Sequence, residues 1–309
     1  DNFEKLLSRF SGNKLLLIEM SGDSGDRLLS EGCKRKLSEL NISYDMVEPL
    51  NHLSKLQYYF LHFTRKVINL LRKKQSGIIV RIVEKIQDII CRKVLFQALS
   101  KVRLSQYRAI LIHGSGTLSD ITPTKLMMLR TILHHLNLEV IVGPQSYWFP
   151  ETNFEGLFKG CKQKIHLFCR EIYSFELLKS LRLPANVRVY LSPDTAFYLS
   201  KNDFNPYEAY DLIALRDDKE SIIPKHLKEL LKDFISTSTN FPVVIKDPSR
   251  GPFDEYVKLI KESRRIFTDR LHIAILGAIL GKEIFFFPNI YHKNLGVYRY
   301  SLSKYPNVT

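Results

Sequence analysis

The 309-residue sequence predicts an α/β protein made of two halves, each with a parallel β-sheet. Three observations lead to this prediction. Short apolar segments alternate with helical segments along most of the chain, polar or glycine-bearing turns follow several of them, and the alternation restarts after residue 164. A single sheet would need ten or more strands, so two domains, 1–155 and 156–309, fit the length better.

The first half contains segments that we predict to be strands, because each is a short apolar run bounded by polar or glycine-bearing turns. These strands are residues 14–19, 44–47, 108–112 and 139–142. Apolar residues at helical spacing predict helices at 27–40 and 126–136. Short strands that alternate with helices are typical of a parallel sheet with crossover connections.

The second half repeats this pattern. Its predicted strands are residues 165–169, 187–191, 212–215, 243–245, 265–267 and 283–287. Its predicted helices are residues 174–181, 225–234, 254–262 and 271–280. The same alternation of strands and helices predicts a second parallel sheet.

The positive charge of the chain is concentrated in one segment. The formal net charge is +14, and residues 55–108 contain thirteen Lys or Arg but only two acids. Apolar residues at helical spacing within 79–90, and an earlier helical pattern at 53–72, predict a basic helical insertion at about residues 53–105 of the first domain. Such a helix can lie on an anionic membrane surface or present a solvated face, and both interpretations remain open.

Composition excludes several classes of protein. With 45% hydrophobic and 25% charged residues, the chain is globular rather than disordered. No apolar run has membrane-spanning length and no secretory signal is visible, although a chain that begins at Asp1 leaves room for a lost N-terminal anchor. Four cysteines without C-x-x-C pairs or zinc-ligand spacing predict free thiols, no metal site and a cytoplasmic location, with peripheral contact at the inner membrane face still open.

Residues 268–272, Thr-Asp-Arg-Leu-His, directly follow a predicted strand and begin a predicted helix. Backbone N–H groups at a helix start have no intrahelical partner and bear a partial positive charge. Arg270 and His272 add a guanidinium and an imidazole at this place. The combination predicts a receptor for a small, doubly anionic ligand such as a phosphate ester.

Other polar residues also follow predicted strands, where ligands of open α/β sheets bind. Arg170 and Lys293 would add cations in the second half, although Arg170 could instead pair with its neighbour Glu171. Asp26 and Asp194 are each a candidate helix cap or general base. In the first half, the candidate ligand contacts are Gly114, Ser115, Gly116, Asp120, Gln145 and Ser146.

Several of these motifs together resemble the polysaccharide pyruvyl transferases, and the resemblance covers most of the chain. The motifs are Arg170-Glu171 with Ser174, Pro193-Asp194-Thr195-Ala196-Phe197, Arg270-Leu271-His272, and Lys293 with Gly296 and Tyr298. The segments 22–26, 114–120 and 143–146 look like the three glycine motifs of that family. The chain departs from the family pattern at Asp23-Ser24, where an asparagine is more usual, and at Ser115 within a glycine triplet.

The resemblance implies two facing Rossmann-like halves, similar to the GT-B glycosyltransferases. It also implies phosphoenolpyruvate as the donor, with no tightly bound cofactor. The acceptor would be a sugar diol of a polysaccharide or glycan, free or lipid-linked. The products would be a cyclic pyruvate ketal and phosphate.

By resemblance, the residues that bind the donor would be Arg170, Arg270, Leu271, His272 and Lys293. Two arginines and a helix start match the carboxylate and the phosphate of phosphoenolpyruvate. We expect His272 to protonate the methylene carbon, because imidazole changes its protonation near neutral pH. The general base remains open between Asp26, Asp120 and Asp194.

Two other functions remain as alternatives. A GT-B-type glycosyltransferase that uses a nucleotide sugar would share the architecture and the cationic site. A non-enzymatic protein that binds nucleic acid or membrane would account for the high isoelectric point of about 9.5. Against nucleic acid, the charge is confined to one segment and no RNA- or DNA-binding motif occurs.

Overall fold

The computed structural model contains two compact units. It describes residues 1–20, 22–61, 63–64, 77–113, 116–120 and 122–309. The first unit comprises residues 1–20, 37–169 and 174–192, and the second comprises residues 21–36, 170–173 and 193–309.

The first unit is built on a parallel sheet with the strand order β2-β1-β3-β5-β6-β7, and β4 pairs with β5. The strands are β1 Lys14–Glu19, β2 Ser43–Val47, β3 Ala109–His113, β4 Thr117–Ser119, β5 Glu139–Trp148, β6 Ile165–Cys169 and β7 Val187–Leu191. Strands β3 and β6 are buried along their whole length, as expected for a parallel sheet covered on both faces.

The second unit has a smaller parallel sheet with the strand order β11-β10-β8-β9. Its strands are β8 Tyr210–Ala214, β9 Val243–Ile245, β10 Ser263–Thr268 and β11 Glu283–Phe286. The helices of the chain are α1 Asn2–Leu7, α2 Ser24–Glu39, α3 Gly77–Ala98, α4 Pro123–His135, α5 Ile172–Ser180, α6 Lys225–Thr237, α7 Phe253–Lys261, α8 Leu271–Leu280 and α9 Lys293–Tyr300.

Helix α8 is the central helix of the second unit, and its side chains are buried on nearly every face. Gly277 allows this close packing, because a Cβ there would lie 2.4 Å from Ile284 Cδ1 of β11 and 2.8 Å from Ile266 Cδ1 of β10. The helix ends at Gly281, whose φ of +78° is the left-handed conformation that favours glycine. The rigid packing of α8 fixes the position of its first turn, where Arg270 and His272 lie.

The predicted α/β class and both parallel sheets are confirmed. The predicted boundary between residues 155 and 156 differs from the observed division. Strands β6 and β7, predicted for the second half, pair with β5 in the first sheet, and helix α2 begins in the second unit. Apolar strands look alike in sequence whichever sheet they join, so their pattern could not locate the boundary.

The prediction that β5 ends at Val142 is wrong, because the strand continues to Trp148. The pairing of β5 with β6 shifts register between Val142 and Gln145, which accommodates Pro144 and its missing N–H. Gln145 and Ser146 therefore lie inside a buried strand rather than beyond its end. The short helices α1 and α9 and the strand β4 were not predicted.

Helix α3 confirms the predicted helix at 79–90, but a different face of it is buried. Ile79, Ile82 and Ile86, predicted as the apolar face, are 52%, 55% and 40% exposed. The buried residues are instead Gln87, Cys91, Val94 and Leu95. The predicted helix at 53–72 lies partly outside the described residues, so the basic insertion as a whole stays a prediction.

The thiols agree with the sequence prediction. All four cysteines are free, and Cys33, Cys91 and Cys169 are buried. Within the described part of the chain, no helix is both long and apolar enough to span a bilayer.

Candidate active site

Arg170, Asp194 and His272 meet in the second unit. Arg170 Nη1 donates to Asp194 Oδ2 at 2.7 Å, and His272 Nε2 lies 3.4 Å from the same oxygen. His272 Nε2 is also 3.2 Å from Arg170 Nη1. Arg170 directly follows β6, Asp194 comes shortly after β7, and His272 lies in the first turn of α8 after β10. All three positions are at the carboxyl ends of parallel strands, as the sequence predicted.

Asp194 is fully buried and caps a short 3-10 helix, Thr195–Tyr198, by accepting a hydrogen bond from Ala196 N–H at 2.9 Å. Burial opposes ionisation of its carboxyl, but His272 and Arg170 outweigh burial and lower the pKa of Asp194 to about 2. A carboxylate with so low a pKa is a weak base. Its contacts make Asp194 a residue that positions Arg170 and the imidazole.

Arg270 is held by two aspartates. Its Nε and Nη2 donate to Asp247 Oδ2 at 2.9 Å and 2.5 Å, and its Nη1 lies 3.2 Å from Asp218 Oδ2. The backbone N–H of Arg270 donates to Thr268 Oγ1 at 3.0 Å at the start of α8. The guanidinium is therefore pre-oriented beside the free N–H groups of the helix start.

Lys293, the third predicted cation, lies at the start of α9 and not in a loop. Its Nζ donates to Glu220 Oε2 at 2.6 Å, and Arg216 Nη1 donates to the same oxygen at 2.9 Å. Burial raises the pKa of Glu220, but Lys293 and Arg216 outweigh burial and lower it overall. Arg216 also donates to Asp218, which links this group to Arg270.

The cations of the site are thus balanced by carboxylates. The cations are Arg170, Arg216, Arg270 and Lys293, and the carboxylates are Asp194, Asp218, Glu220 and Asp247. An anionic ligand would gain further positive charge from the α8 helix start and from a protonated His272. The site therefore suits an anionic ligand.

The pairing of Glu171 with Arg170, which the sequence left open, stays a prediction; the contacts described for Glu171 are with the start of α9. Glu171 is fully buried, and its Oε1 lies 3.4 Å from His292 Nε2. A Cβ on Gly296 would lie 2.8 Å from Glu171 Oε2, so the glycine lets α9 pack against this carboxylate. Arg170 contacts Asp194 and the imidazole.

The turn at the start of α2 brings two more carboxyl groups to the second unit. Asp23 Oδ1 accepts a hydrogen bond from Asp26 N–H, and Asp26 Oδ2 accepts one from Gly22 N–H, both at 3.0 Å. Asp23, not Asp26, is thus the side chain that caps the helix start. A Cβ on Gly25 would lie 2.8 Å from His272 Nδ1, which places this turn against the imidazole.

The phenol of Tyr256 on α7 also lies in this part of the second unit. The side chain is fully buried, and among the described residues Tyr256 Oη has no hydrogen-bond partner. Burial, together with the negative charges of Asp23 and Asp247, raises its pKa well above the ordinary value. Tyr256 is therefore a neutral hydroxyl that can donate or accept one hydrogen bond.

Two of the predicted residues of the first unit, Gly114 and Ser115, lie outside the described residues. Asp120 Oδ2 accepts hydrogen bonds from Glu151 N–H at 2.8 Å and Thr152 N–H at 3.3 Å. The Thr152 hydroxyl donates to the other oxygen of Asp120. The carboxylate of Asp120 thus holds the loop after β5, which disfavours it as the base.

Gly116, Gln145 and Ser146 lie together in the first unit. Ser146 N–H donates to the carbonyl of Gly116 at 3.2 Å, and both Ser146 and Gln145 are buried. Gln145 Nε2 donates to Tyr147 Oη at 3.4 Å, while Oε1 has no partner in the described part of the chain. The Gln145 amide is the group of this region with hydrogen-bonding capacity to spare.

Two cavities can hold ligands. One, of about 370 Å³, lies in the second unit between residues 22–27 and 249–253 and includes Asp23 in its wall. The other, of about 190 Å³, lies in the first unit beside Gln87 and Arg130, and Thr152 in its wall donates a hydrogen bond to Asp120. Within the described ranges, no cluster of three or more His, Cys, Asp or Glu is placed to bind a metal.

The sequence prediction missed Asp23, Arg216, Asp247 and Tyr256. Arg216 follows β8 and Asp247 follows β9, so the strand-end rule that selected Arg170 and Arg270 could have found both. Asp23 belongs to the polar segment 22–26 that the sequence pointed to, but it was not named as a site residue. For Tyr256 no local sequence signal exists, because only the packing of α7 brings it to this place.

Comparison with known proteins gives a family. The family model described as Polysaccharide pyruvyl transferase matches residues 24–290. This range contains helix α2, the Arg170–Asp194–His272 group and Arg270, whereas Asp23 and Lys293 lie outside it. No curated protein matches the chain.

Solved structures are similar to the chain in fold. A functionally uncharacterised protein from Klebsiella pneumoniae is 20% identical, with a TM-score of 0.59 and coverage of 100% of this chain and 96% of that one. A UDP-GlcNAc 2-epimerase from Methanocaldococcus jannaschii, in complex with UDP-GlcNAc and UDP, has 15% identity, a TM-score of 0.42 and coverage of 88% and 83%. The corresponding epimerase from Neisseria meningitidis has 12% identity, a TM-score of 0.42 and coverage of 89% and 82%.

Proposed function

The chain belongs to the polysaccharide pyruvyl transferase family, and we propose that its donor is phosphoenolpyruvate and its product a cyclic pyruvate ketal. Family membership makes it a transferase of polysaccharide pyruvylation. The proposal adds that the enolpyruvyl group passes to two hydroxyls of one glycan sugar, and that phosphate is released. The observation that favours this donor most is the convergence of Arg170, Arg270 and His272 around the start of one buried helix.

Phosphoenolpyruvate has a carboxylate and a phosphate on neighbouring atoms. Arg170 and Arg270 offer two guanidinium groups whose orientation is fixed by Asp194 and Asp247. Planar guanidinium groups bind carboxylate and phosphate with paired hydrogen bonds. The N–H groups of the α8 start, at Leu271 and His272, supply further donors for one anionic group. Lys293 adds positive charge to the site, and it is held in place by Glu220, which also accepts from Arg216.

The chemistry requires that protons balance. A protonated His272 gives a proton to the methylene carbon while the first acceptor hydroxyl attacks the central carbon. Phosphate then leaves, and the second hydroxyl closes the ring. The two hydroxyls lose two protons in total; one ends in the new methyl group and the other on the phosphate. The site needs a base for the first hydroxyl, and the sequence left Asp26, Asp120 and Asp194 open for this role.

For the acceptor, we propose that Gly116, Gln145 and Ser146 of the first unit make further contacts to the glycan, together with the glycine segment 114–115. The unpartnered Oε1 of Gln145 supports this role, because it can accept a hydrogen bond from a sugar hydroxyl. We also propose that no tightly bound cofactor takes part. Activity of dialysed, chelator-treated protein would support this part of the proposal, and loss of activity restored by a divalent ion would contradict it.

We propose in addition that helix α3 contacts an anionic membrane surface, where a lipid-linked acceptor would lie. Ile78, Ile82, Ile86 and Ile89 form an exposed apolar stripe along α3, with exposures between 40% and 76%. The same segment, 55–108, has the excess of Lys and Arg. Apolar side chains beside basic ones suit the interface of an anionic bilayer. Co-sedimentation with anionic but not with zwitterionic vesicles would support this contact, and equal recovery with both would contradict it.

The donor is tested by offering phosphoenolpyruvate and, separately, nucleotide sugars. Each is combined with acceptors that contain galactose, mannose, glucose or N-acetylhexosamine. We expect phosphate release and an acceptor mass gain of one carboxyethylidene group with phosphoenolpyruvate alone. In deuterium oxide, the new methyl group should contain one deuterium, because the methylene carbon is protonated. Release of a nucleoside diphosphate instead would favour the glycosyltransferase alternative and overturn the proposal.

A further inference from the structure

The turn at the start of α2 lies against one nitrogen of the His272 imidazole. A Cβ added to Gly25 would be 2.8 Å from His272 Nδ1 and 3.2 Å from Asp23 Oδ1. These two atoms are therefore at most about 6 Å apart, the sum of the two distances. One water molecule or one substrate hydroxyl can bridge such a separation. Nε2 of the same ring faces Asp194, so the imidazole lies between two carboxyl groups.

The titratable groups around Asp23 come from three helices. They are Asp26 on α2, Tyr256 on α7, and Arg270 and His272 at the start of α8. Burial and then the negative charge of Asp26 raise the pKa of the Asp23 carboxyl. The hydrogen bond from Asp26 N–H and the charges of His272 and Arg270 offset this increase only in part.

A raised pKa gives Asp23 a property that Asp194 lacks. A general base works best when its pKa lies near the working pH, so that it is both ionised and able to hold a proton. Asp194, with a pKa of about 2, binds a proton too weakly for this task. Among the described residues, the Asp23 carboxyl accepts one backbone hydrogen bond and has no arginine in direct contact, so its carboxylate is the stronger base.

Asp23 also lines the cavity of about 370 Å³ in the second unit. This volume falls within the usual range for small-ligand sites. Phe253 lies in its wall with the Arg27 guanidinium 4.7 Å from the ring centroid, and Arg250 lines the cavity as well. In the part of the chain that the structure describes, neither arginine has a carboxylate partner, unlike Arg170, Arg216 and Arg270.

We propose that Asp23 is the general base for the attacking acceptor hydroxyl, and that the cavity which it lines holds the acceptor sugar. Arg27 and Arg250, which have no carboxylate partner among the described residues, select an acceptor with an acidic group close to its reacting diol. This inference rests on the proposed function. The acidic group is a carboxylate or a phosphate, since guanidinium groups bind both.

With these residues, each proton in the reaction has a donor and an acceptor. The first hydroxyl forms its bond to the central carbon of phosphoenolpyruvate and gives its proton to Asp23, while His272 gives a proton to the methylene carbon. The bond to phosphate breaks, and the second hydroxyl closes the ring as its proton leaves with the phosphate. Asp23 is then protonated and His272 is not. One bridging water over at most about 6 Å returns the proton and resets the site.

The test compares Asp23→Asn with Asp26→Asn. An amide at position 23 still accepts the hydrogen bond from Asp26 N–H, so the helix cap is kept. We expect D23N to lower kcat for acceptor-dependent phosphate release by about 100-fold or more, with an unchanged dissociation constant for phosphoenolpyruvate. A D23N enzyme with the kcat of the wild type would overturn the proposal. Wild-type protein that binds no phosphoenolpyruvate would instead overturn the proposed function itself.

D26N has a different expected effect, because it removes the charge that helps to raise the pKa of Asp23. A base must be deprotonated to act, so activity falls as the pH drops through the pKa of Asp23. With that pKa lowered, the acid limb of kcat/KM should move to lower pH while D26N remains active. An inactive D26N beside an active D23N would identify Asp26 as the base and refute the role of Asp23.

The cavity is tested with three acceptors that share one diol: a neutral glycoside, its uronate and its glycosyl phosphate. We expect Arg250→Ala to raise KM about tenfold or more for an acidic acceptor and to leave the neutral one unchanged. Lys225→Ala, an exposed change at the start of α6, is the matched control. The uronate and phosphate arms show which acid is recognised. An R250A enzyme whose KM for the acidic acceptors equals that of the wild type would contradict the acidic subsite.

Discussion

The two carboxyl groups on either side of His272 are chemically alike and have opposite environments. Asp194 is fully buried and contacts Arg170, the imidazole and Ala196 N–H, and its pKa is lowered to about 2. Asp23 is half-buried, has the carboxyl of Asp26 beside it, and its pKa is raised. Burial raises the pKa of both groups; the neighbouring charges decide the final direction.

Because of this difference, the His272 imidazole can be held in place by Asp194 on one side and exchange protons with Asp23 on the other. Near neutral pH, an ionised Asp194 fixes the ring and holds Arg170 in place for the proposed donor. A carboxyl with a raised pKa can take up and release a proton during turnover. Pairs of titratable groups whose surroundings move their pKa values apart mark the acid and base roles of a site.

Loss of the cation that pairs with Asp194 should have the largest effect on the free energy of unfolding. Arg170→Met removes the guanidinium and leaves a fully buried carboxylate without its cation. Breaking one partner of a buried ion pair costs about 3–5 kcal/mol, so the free energy of unfolding should fall by that amount. Urea denaturation measures this change, with R250A as an exposed control that stays within about 0.5 kcal/mol of the wild type. A loss below about 1 kcal/mol in R170M would show that Asp194 does not depend on Arg170.

Lowering the pH should have a smaller effect on the free energy of unfolding, through protonation of Asp194. The folded-state pKa of Asp194 is about 2, below its ordinary 3.8, so its ionisation stabilises the folded protein above about pH 4. This contribution, about 2 kcal/mol, is lost as the pH falls toward 2. The stability difference between the wild type and Asp194→Asn, measured by urea unfolding, should therefore shrink between about pH 4 and pH 2. A constant difference over this range would contradict the lowered pKa.

The smallest structural change tests how closely Asp23 and His272 approach. In Gly25→Ala, the new Cβ would lie 2.8 Å from His272 Nδ1, so the ring or the turn must move. We expect kcat to fall about tenfold or more while thermal stability changes little, because alanine favours the helix. Gly156→Ala is the matched control, since its nearest contact would be 3.6 Å. Wild-type activity in G25A would mean that the turn and the imidazole do not act together.

Much of the fold could be predicted because its signals are local. The strands β1, β6, β7 and β9 and the helix α8 have the predicted bounds, since apolar runs between polar turns define them. The membership of β6 and β7 in the first sheet could not be predicted, because strand pairing depends on contacts far apart in the chain. Pro144 and Gly143 suggested a strand end, whereas a register shift lets β5 continue through them.

The candidate site was predictable only in part, for the same reason. Arg170, Arg270 and His272 follow strands, and a general rule about strand ends identifies them. Asp247 and Asp218, the partners of Arg270, come from other loops, so the balance of charge was not visible in the sequence. Asp23 and Asp26 look equivalent along the chain, and only the hydrogen bonds and the neighbouring His272 distinguish them.

The rate of phosphate release by His272→Ala tests whether this imidazole is the acid of the reaction. Both carboxyl groups are proposed to act through it. The measurement is a single turnover of phosphoenolpyruvate with a saturating acceptor, alongside a binding titration of the donor. We predict that H272A still binds phosphoenolpyruvate through Arg170 and Arg270 but releases phosphate at least about 100-fold more slowly than the wild type. Phosphate release at the wild-type rate would remove His272 from the mechanism and contradict the account.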